Sequence, residues 1–151
     1  PPAVEGIEIG KTADLLFFLQ TARVTRPIRD DERARIAAPR RAFLLPEVAR
    51  YVIHYADGET AEVPVVLEKH VDNWVQEKPK ALEGALVAWT GAVPGLEGKK
   101  AVLYSMQVRN PRPDVVIDTI DFTLGKRPDG KTAGDRAIPV LLAITLGTLI
   151  E

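Results

Sequence analysis

The chain has 151 residues, 46% of them hydrophobic, which is enough for one domain with a packed core. Twenty basic against twenty-one acidic side chains leave a net charge of −1, so no global field draws it to nucleic acid or to a membrane surface. Cysteine is absent, which excludes disulfides and thiolate chemistry, and no window approaches the roughly 18 apolar residues that cross a bilayer.

The opening Pro-Pro-Ala-Val has neither the basic nor the apolar region of a signal peptide, so residues 1–5 are expected to be a linker remnant. Residues 7–9 fit a short edge strand. Residues 15–22, LLFFLQTA, are a solid apolar run of strand length, suited to a strand buried between two layers. The stretch 23–47 is of another kind. Arg23, Arg26, Arg29, Arg33, Arg35, Arg40 and Arg41 crowd a segment broken by Pro27, Pro39 and Pro46. It reads as a long loop in which 30–38 make one or two helical turns capped by Asp30 or Asp31. Its arginines have Asp30, Asp31, Glu32 and Glu47 to pair with.

Two strands then fold over Ala56, Asp57 and Gly58. Tyr51, Ile53 and Tyr55 alternate with Val52 and His54, the half-buried strand signal. A two-residue Asp57-Gly58 loop sets Ile53 opposite Glu62 and mixes a charge into the apolar row. A three-residue loop sets Tyr51 opposite Val63 and Ile53 opposite Ala61. It gathers Tyr51, Ile53, Tyr55, Ala61, Val63, Val65 and Leu67 on one face, so burial selects it. That register predicts positive φ at Gly58 and places His54 on the outer face across from Thr60.

Residues 68–83 are a polar loop carrying His70, Asp72, Asn73 and Trp74. Residues 86–90 make a short strand ending at Gly91, and 92–99 a Gly/Pro loop. Residues 101–109 alternate, with Val102, Tyr104, Met106 and Val108 on one side. Pro111 and Pro113 forbid a ladder over 110–114, so that stretch is a rigid turn with Asn110 capping backbone amides. Residues 115–124 resume the alternation with Ile120, Phe122 and Leu124 inward. A flexible loop follows at 126–136, with Asp129-Gly130 at its tip, and 138–146 close the sheet. Seven or eight strands without a regular helix between them predict an all-β antiparallel sandwich or jelly roll over 1–151. If consecutive strands alternate in direction, loops 23–47, 69–85 and 110–114 meet at one end. Loops 56–58, 91–99 and 125–136 then meet at the other.

Catalytic chemistry finds little footing. The only serine, Ser105, lies mid-strand, and the nucleophile-elbow, P-loop and dinucleotide glycine patterns are missing. His54 and His70 are the only histidines and lack a metal-ligand spacing. The carboxylate pairs Asp30/Asp31 and Asp118/Asp121 suit solvated faces. Oxygen-rich loops leave room for a structural calcium, which no spacing identifies. The tryptophans say more. Sugars present flat C–H patches that stack on aromatic rings, while planar polar groups bind their hydroxyls. Trp74, beside His70, Asp72 and Asn73, is either such a platform or a lid folded over the core; Trp89 is expected in the core.

Taken in order, LLFFLQTA (15–22), YVIHYADGETAEVPV (51–65), VDNW (71–74), AWTG (88–91), VRNPRPDVVIDTIDF (108–122) and LLAIT (141–145) resemble galactose-binding-like β-sandwich domains appended to bacterial glycoside hydrolases and other large secreted proteins. The likeness covers most of the chain apart from the arginine-rich insertion and the tail of the 125–136 loop. It implies a galactose-binding-like jelly roll, at times with a structural calcium, acting as a non-catalytic carbohydrate-binding module. Such a module is secreted or periplasmic and holds an attached catalytic domain on polysaccharide. By that resemblance Trp74 stacks on sugar and His70, Asp72 and Asn73 contact hydroxyls. Arg23, Arg109 and Arg112 are secondary contacts suited to acidic sugars. The chain departs from the pattern at Gln20, where histidine is expected, and at Val75, where a second aromatic often follows the tryptophan. The alternative is a structural or interaction domain that packs on a catalytic partner or self-associates without binding sugar. It predicts an exposed apolar patch.

Overall fold

The computed structural model describes residues 3–37, 45–127 and 136–150. Among them the chain forms nine strands and one short helix. In order these are β1 (Ala3–Lys11), β2 (Leu15–Val24), α1 (Asp30–Ala37), β3 (Glu47–Tyr55), β4 (Thr60–Val66), β5 (Val75–Gln76), β6 (Leu86–Ala92), β7 (Lys100–Arg109), β8 (Ile117–Leu124) and β9 (Ala137–Gly147). The first sheet runs β1-β8-β3-β4. The second runs β6-β7-β2-β9, with the two-residue β5 also on β7. Their strands pair antiparallel throughout. An antiparallel all-β sandwich is what the alternating strands build.

The core lies between the sheets. Leu16, Phe18 and Ala22 of β2 and Val102, Tyr104 and Met106 of β7 face Tyr51 and Ile53 of β3 and Ile117 and Ile120 of β8, all buried. Phe18 and Tyr51 stack with ring centroids 3.8 Å apart, and Phe122 stacks on Tyr51 at 5.2 Å, so aromatic contact fastens one layer to the other. A polar contact crosses this core. The Tyr51 hydroxyl donates to Gln20 Oε1 at 2.6 Å, and Gln20 Nε2 donates to the His70 carbonyl at 3.1 Å. Glutamine fits where it stands because it supplies an acceptor and a donor at once.

The hairpin closes in the three-residue register: Tyr51 pairs with Val63, Ile53 with Ala61 and His54 with Thr60. Gly58 has φ of +90° and its N–H donates to the Tyr55 carbonyl, while the Tyr55 N–H donates to Glu59. That is the bulged turn that burial of the apolar row requires.

Three expectations need correction. The first strand begins at Ala3, so residues 3–5 are strand rather than linker. Gly6 and Gly10, at φ of +72° and +67°, shift the register against β8 twice and break the alternation that would have revealed it. The helix runs over Asp30–Ala37, but its first free amide is met by Glu32, whose Oε1 accepts the Arg29 N–H at 3.2 Å. The loops also distribute differently. Tyr55 pairs with Ile117 and Leu15 with Arg109, which puts 110–114 beside the 56–58 turn. Strict alternation fails because the segment after β4 runs back along the sandwich, letting β6 start against Ser105 and end against Lys100. Pro39, Arg40, Arg41 and the Asp129-Gly130 tip lie outside the described residues.

Candidate functional site

His70, Asp72, Asn73 and Trp74 come together with Arg23 at one end of the second sheet. There the strands β2 and β7 part, and residues 73–76 wedge between them. The Trp74 N–H donates to the Ala22 carbonyl at 2.7 Å, and the Trp74 carbonyl accepts from the Val102 N–H at 2.8 Å. Asn73 Oδ1 accepts the Val24 N–H at 3.0 Å, and its Nδ2 donates to the Val75 carbonyl. Asp72 accepts the Asn73 N–H, and burial holds its carboxyl above the usual range. His70 Nδ1 accepts the Val66 N–H at 2.9 Å, which requires a neutral ring with its proton on Nε2. Burial, helped by Lys69, lowers its pKa and favours that neutral form. The polar heads of these three side chains are thus engaged in holding the wedge. Trp74 itself is 38% exposed, a partly open ring at the rim rather than a sealed lid.

Arg109 and Arg112 lie at the opposite end. Arg109 is eight positions along β7 from Ala101, the partner of Val75, a span of about 27 Å at strand rise. Arg112 forks onto Asp57, with Nη1 to Oδ1 at 2.9 Å, and its guanidinium lies 4.8 Å over the Tyr55 ring. The Arg112 bond holds the Asp57 carboxyl down at about 2. Beneath it Asn110, buried, accepts from the Tyr55 hydroxyl and the Arg112 N–H and donates to the Ala13 carbonyl. The stretch 110–114 is therefore the rigid turn that its prolines and asparagine suggest.

The two outer faces of the sandwich differ in chemistry. On the first sheet Arg50 bridges Glu47 at 2.6 Å and Glu62 at 2.7 Å, and His54 Nε2 meets Asp121 at 2.7 Å. Asp121 titrates below the ordinary range because, against a desolvation cost, the Gly6 N–H and His54 stabilise its anion. The four long strands of the second sheet carry no carboxylate, and their charges, Arg23, Lys100 and Arg109, stand at strand ends. Leu15, Phe17, Leu19, Leu103 and Ala143 face outward between those ends, opposite in parity to the buried rows. Trp89 joins them. It is 53% exposed rather than core, because a register shift between Val87 and Trp89 turns it outward over Gly91, where no side chain competes for the space. Ile138, Val140 and Leu142 of β9 are exposed beside them. Among the described residues the buried Thr21 hydroxyl in this outward row has no hydrogen-bond partner.

Two surface grooves lie away from Trp74. One, of about 220 Å³, is lined by Val4, Phe122, Leu124, Ile138 and Pro139 where β1 approaches β9. The other, of about 290 Å³, is lined by Arg33, Ile36, Leu45 and Glu68. Among the described residues no three His, Asp or Glu side chains cluster as metal ligands. No family model matches the chain, and searches of curated proteins and of solved structures return no match.

The apolar outer face was partly legible beforehand. Strands 15–22 and 138–146 are apolar on both parities, which signals burial on both sides; among the described residues one of the two sides has no covering layer. Nothing in the alternation marks the bulge that exposes Trp89.

Proposed function

We propose that this is a non-catalytic β-sandwich domain that docks the outer face of its second sheet onto protein. The observation that carries the reading is the asymmetry between the faces, one charged and ion-paired, the other largely apolar and free of carboxylates, its polar groups between the strand ends, Ser105, Gln107 and Thr145 among them, being uncharged. Trp89 stands on that face as a rigid aromatic anchor of the kind that dominates protein contacts. The edges of both sheets give the same direction. Pro64 interrupts β4 and Pro139 interrupts β9, glycine bulges interrupt β1, and a register shift interrupts β6. Association by strand addition is thereby discouraged, and the flat face is the surface left for it.

A second reading keeps the resemblance to galactose-binding-like jelly rolls and gives Trp74 a sugar to stack on. What favours it is that the ring is partly open and lies near Arg23 and Asp72 at one rim. A glycan array probed with the wild-type chain, Trp74→Ala and Trp89→Lys separates the two. Protein docking expects no glycan retained by any of them. Retention that Trp74→Ala abolishes and Trp89→Lys leaves intact would overturn docking as the primary role in favour of carbohydrate binding, with polysaccharide as the partner.

A further inference from the structure

We propose that the occupant of this face is a second copy of the same chain, two second sheets packing face to face about a two-fold axis. This rests on the docking reading and specifies its partner. Four strands about 4.8 Å apart and roughly eight residues long at about 3.3 Å each give a face on the order of 500 Å². Two such faces in contact bury about 1,000 Å² before side-chain relief is added, which reaches the lower bound for a specific interface and places the pair among weak, concentration-dependent dimers.

Composition fits a self-complementary contact. An isologous interface sets the same patch against itself, so each residue meets another residue of that patch and only those on the axis meet their own copies. An apolar patch satisfies this in any register, whereas a patch of mixed charges would need its opposites aligned. Here the face holds Leu19 and Leu103 on its central strands and Trp89 and Val140 on its outer ones, and its outward polar groups between the ends, Ser105, Gln107 and Thr145 among them, are uncharged. With the two-fold parallel to the strands, β6 of one copy lies over β9 of the other. Trp89, level with Leu103, then meets the exposed Val140 and Leu142. The cations Arg23 and Arg109 fall at the rim, where each approaches its counterpart. Their repulsion is worth less than about 1 kcal/mol in water and fades with salt. Added salt therefore tightens the dimer, the opposite of what an acidic partner protein would show.

The test is sedimentation velocity and light scattering on the intact chain from micromolar to near-millimolar concentration, at low and high sodium chloride. The account expects a rise from the monomer mass of 16.5 kDa towards twice that value, steeper at high salt. Trp89→Lys and Leu142→Lys should each weaken dimerisation at least tenfold with the melting temperature unchanged, while Glu8→Lys on the first sheet leaves it intact. Two lysine sites are used so that a folding defect in one does not blunt the experiment. A monomer at every concentration, or lysine variants that dimerise like wild type, overturns the proposal. A monomeric wild type that still binds a hydrophobic dye, losing it in Trp89→Lys, would refute self-association while leaving docking on another protein standing.

Discussion

Gln20 links the two sheets by polar contact through the core at Tyr51, and its removal has a size that the structure sets. Tyr51→Phe deletes the hydroxyl donor and leaves Gln20 Oε1 buried without its partner. Such an orphan costs about 1–3 kcal/mol. In a chain of this length that corresponds to a fall in melting temperature of roughly 3–10 °C. Gln20→Leu removes both ends of the amide and strands two groups, the Tyr51 hydroxyl and the His70 carbonyl, so its cost is about twice as large. The double variant strands only the His70 carbonyl. Its loss must therefore fall short of the sum of the single losses by the cost of two orphans, about 2–6 kcal/mol, the coupling between two groups that are expensive only when separated. Urea denaturation of the four proteins measures this. Losses that add to within about 0.5 kcal/mol would show that the two groups do not depend on each other and would refute the core network.

Other outcomes follow from the same geometry. Thr21→Val removes the buried orphan hydroxyl without changing shape, so it should raise stability by about 1 kcal/mol in denaturant melts; a loss would reveal a partner for that hydroxyl. Gly58→Val forces a β-branched residue to φ near +90° and should cost about 1–2 kcal/mol or more, whereas a neutral result would mean the turn can close in another way. Acid should act in two steps. His70 has a lowered pKa in the fold, so stability declines as pH falls below the ordinary histidine value near 6.5 and the unfolded chain takes up the proton. Glu32, held at about 2 first by its bond to Arg136, and Asp57, held at about 2 first by Arg112, contribute stability that is complete above about 4.5. That stability is lost as pH falls towards 2. Thermal melts across this range check both steps, and a Tm flat from pH 7 to 5 would contradict the first. Trp74→Ala should lower the melting temperature by only a few degrees, because the wedge is held by the Trp74 backbone and by Asn73 rather than by the partly exposed ring.

The hairpin register was readable because one alternative puts Glu62 in an apolar row and the other does not, so burial alone makes the choice. The inward row of β7 was readable for the same reason. What alternation could not show were its own interruptions. Gly6 and Gly10 hide the length of β1, and the shift before Trp89 reverses that residue's side of the sheet. Loop positions failed at long range, since one segment running back along the sandwich inverts every parity after it. At the Trp74 end the residue types were right for binding hydroxyls, yet Asn73 and His70 spend their polar atoms on the backbone of β2 and β4. Local composition names the groups available, and only the tertiary path decides which remain free.

The central claim, that the outer face of the second sheet is covered in the working state, is tested most directly through Trp89. In a Trp74→Phe background Trp89 is the sole tryptophan, and acrylamide quenching reads its exposure. The account predicts that quenching weakens as protein concentration rises and returns to its dilute value when Val140→Lys is added. Quenching that stays constant across the whole concentration range, in a protein shown to be folded, would contradict it.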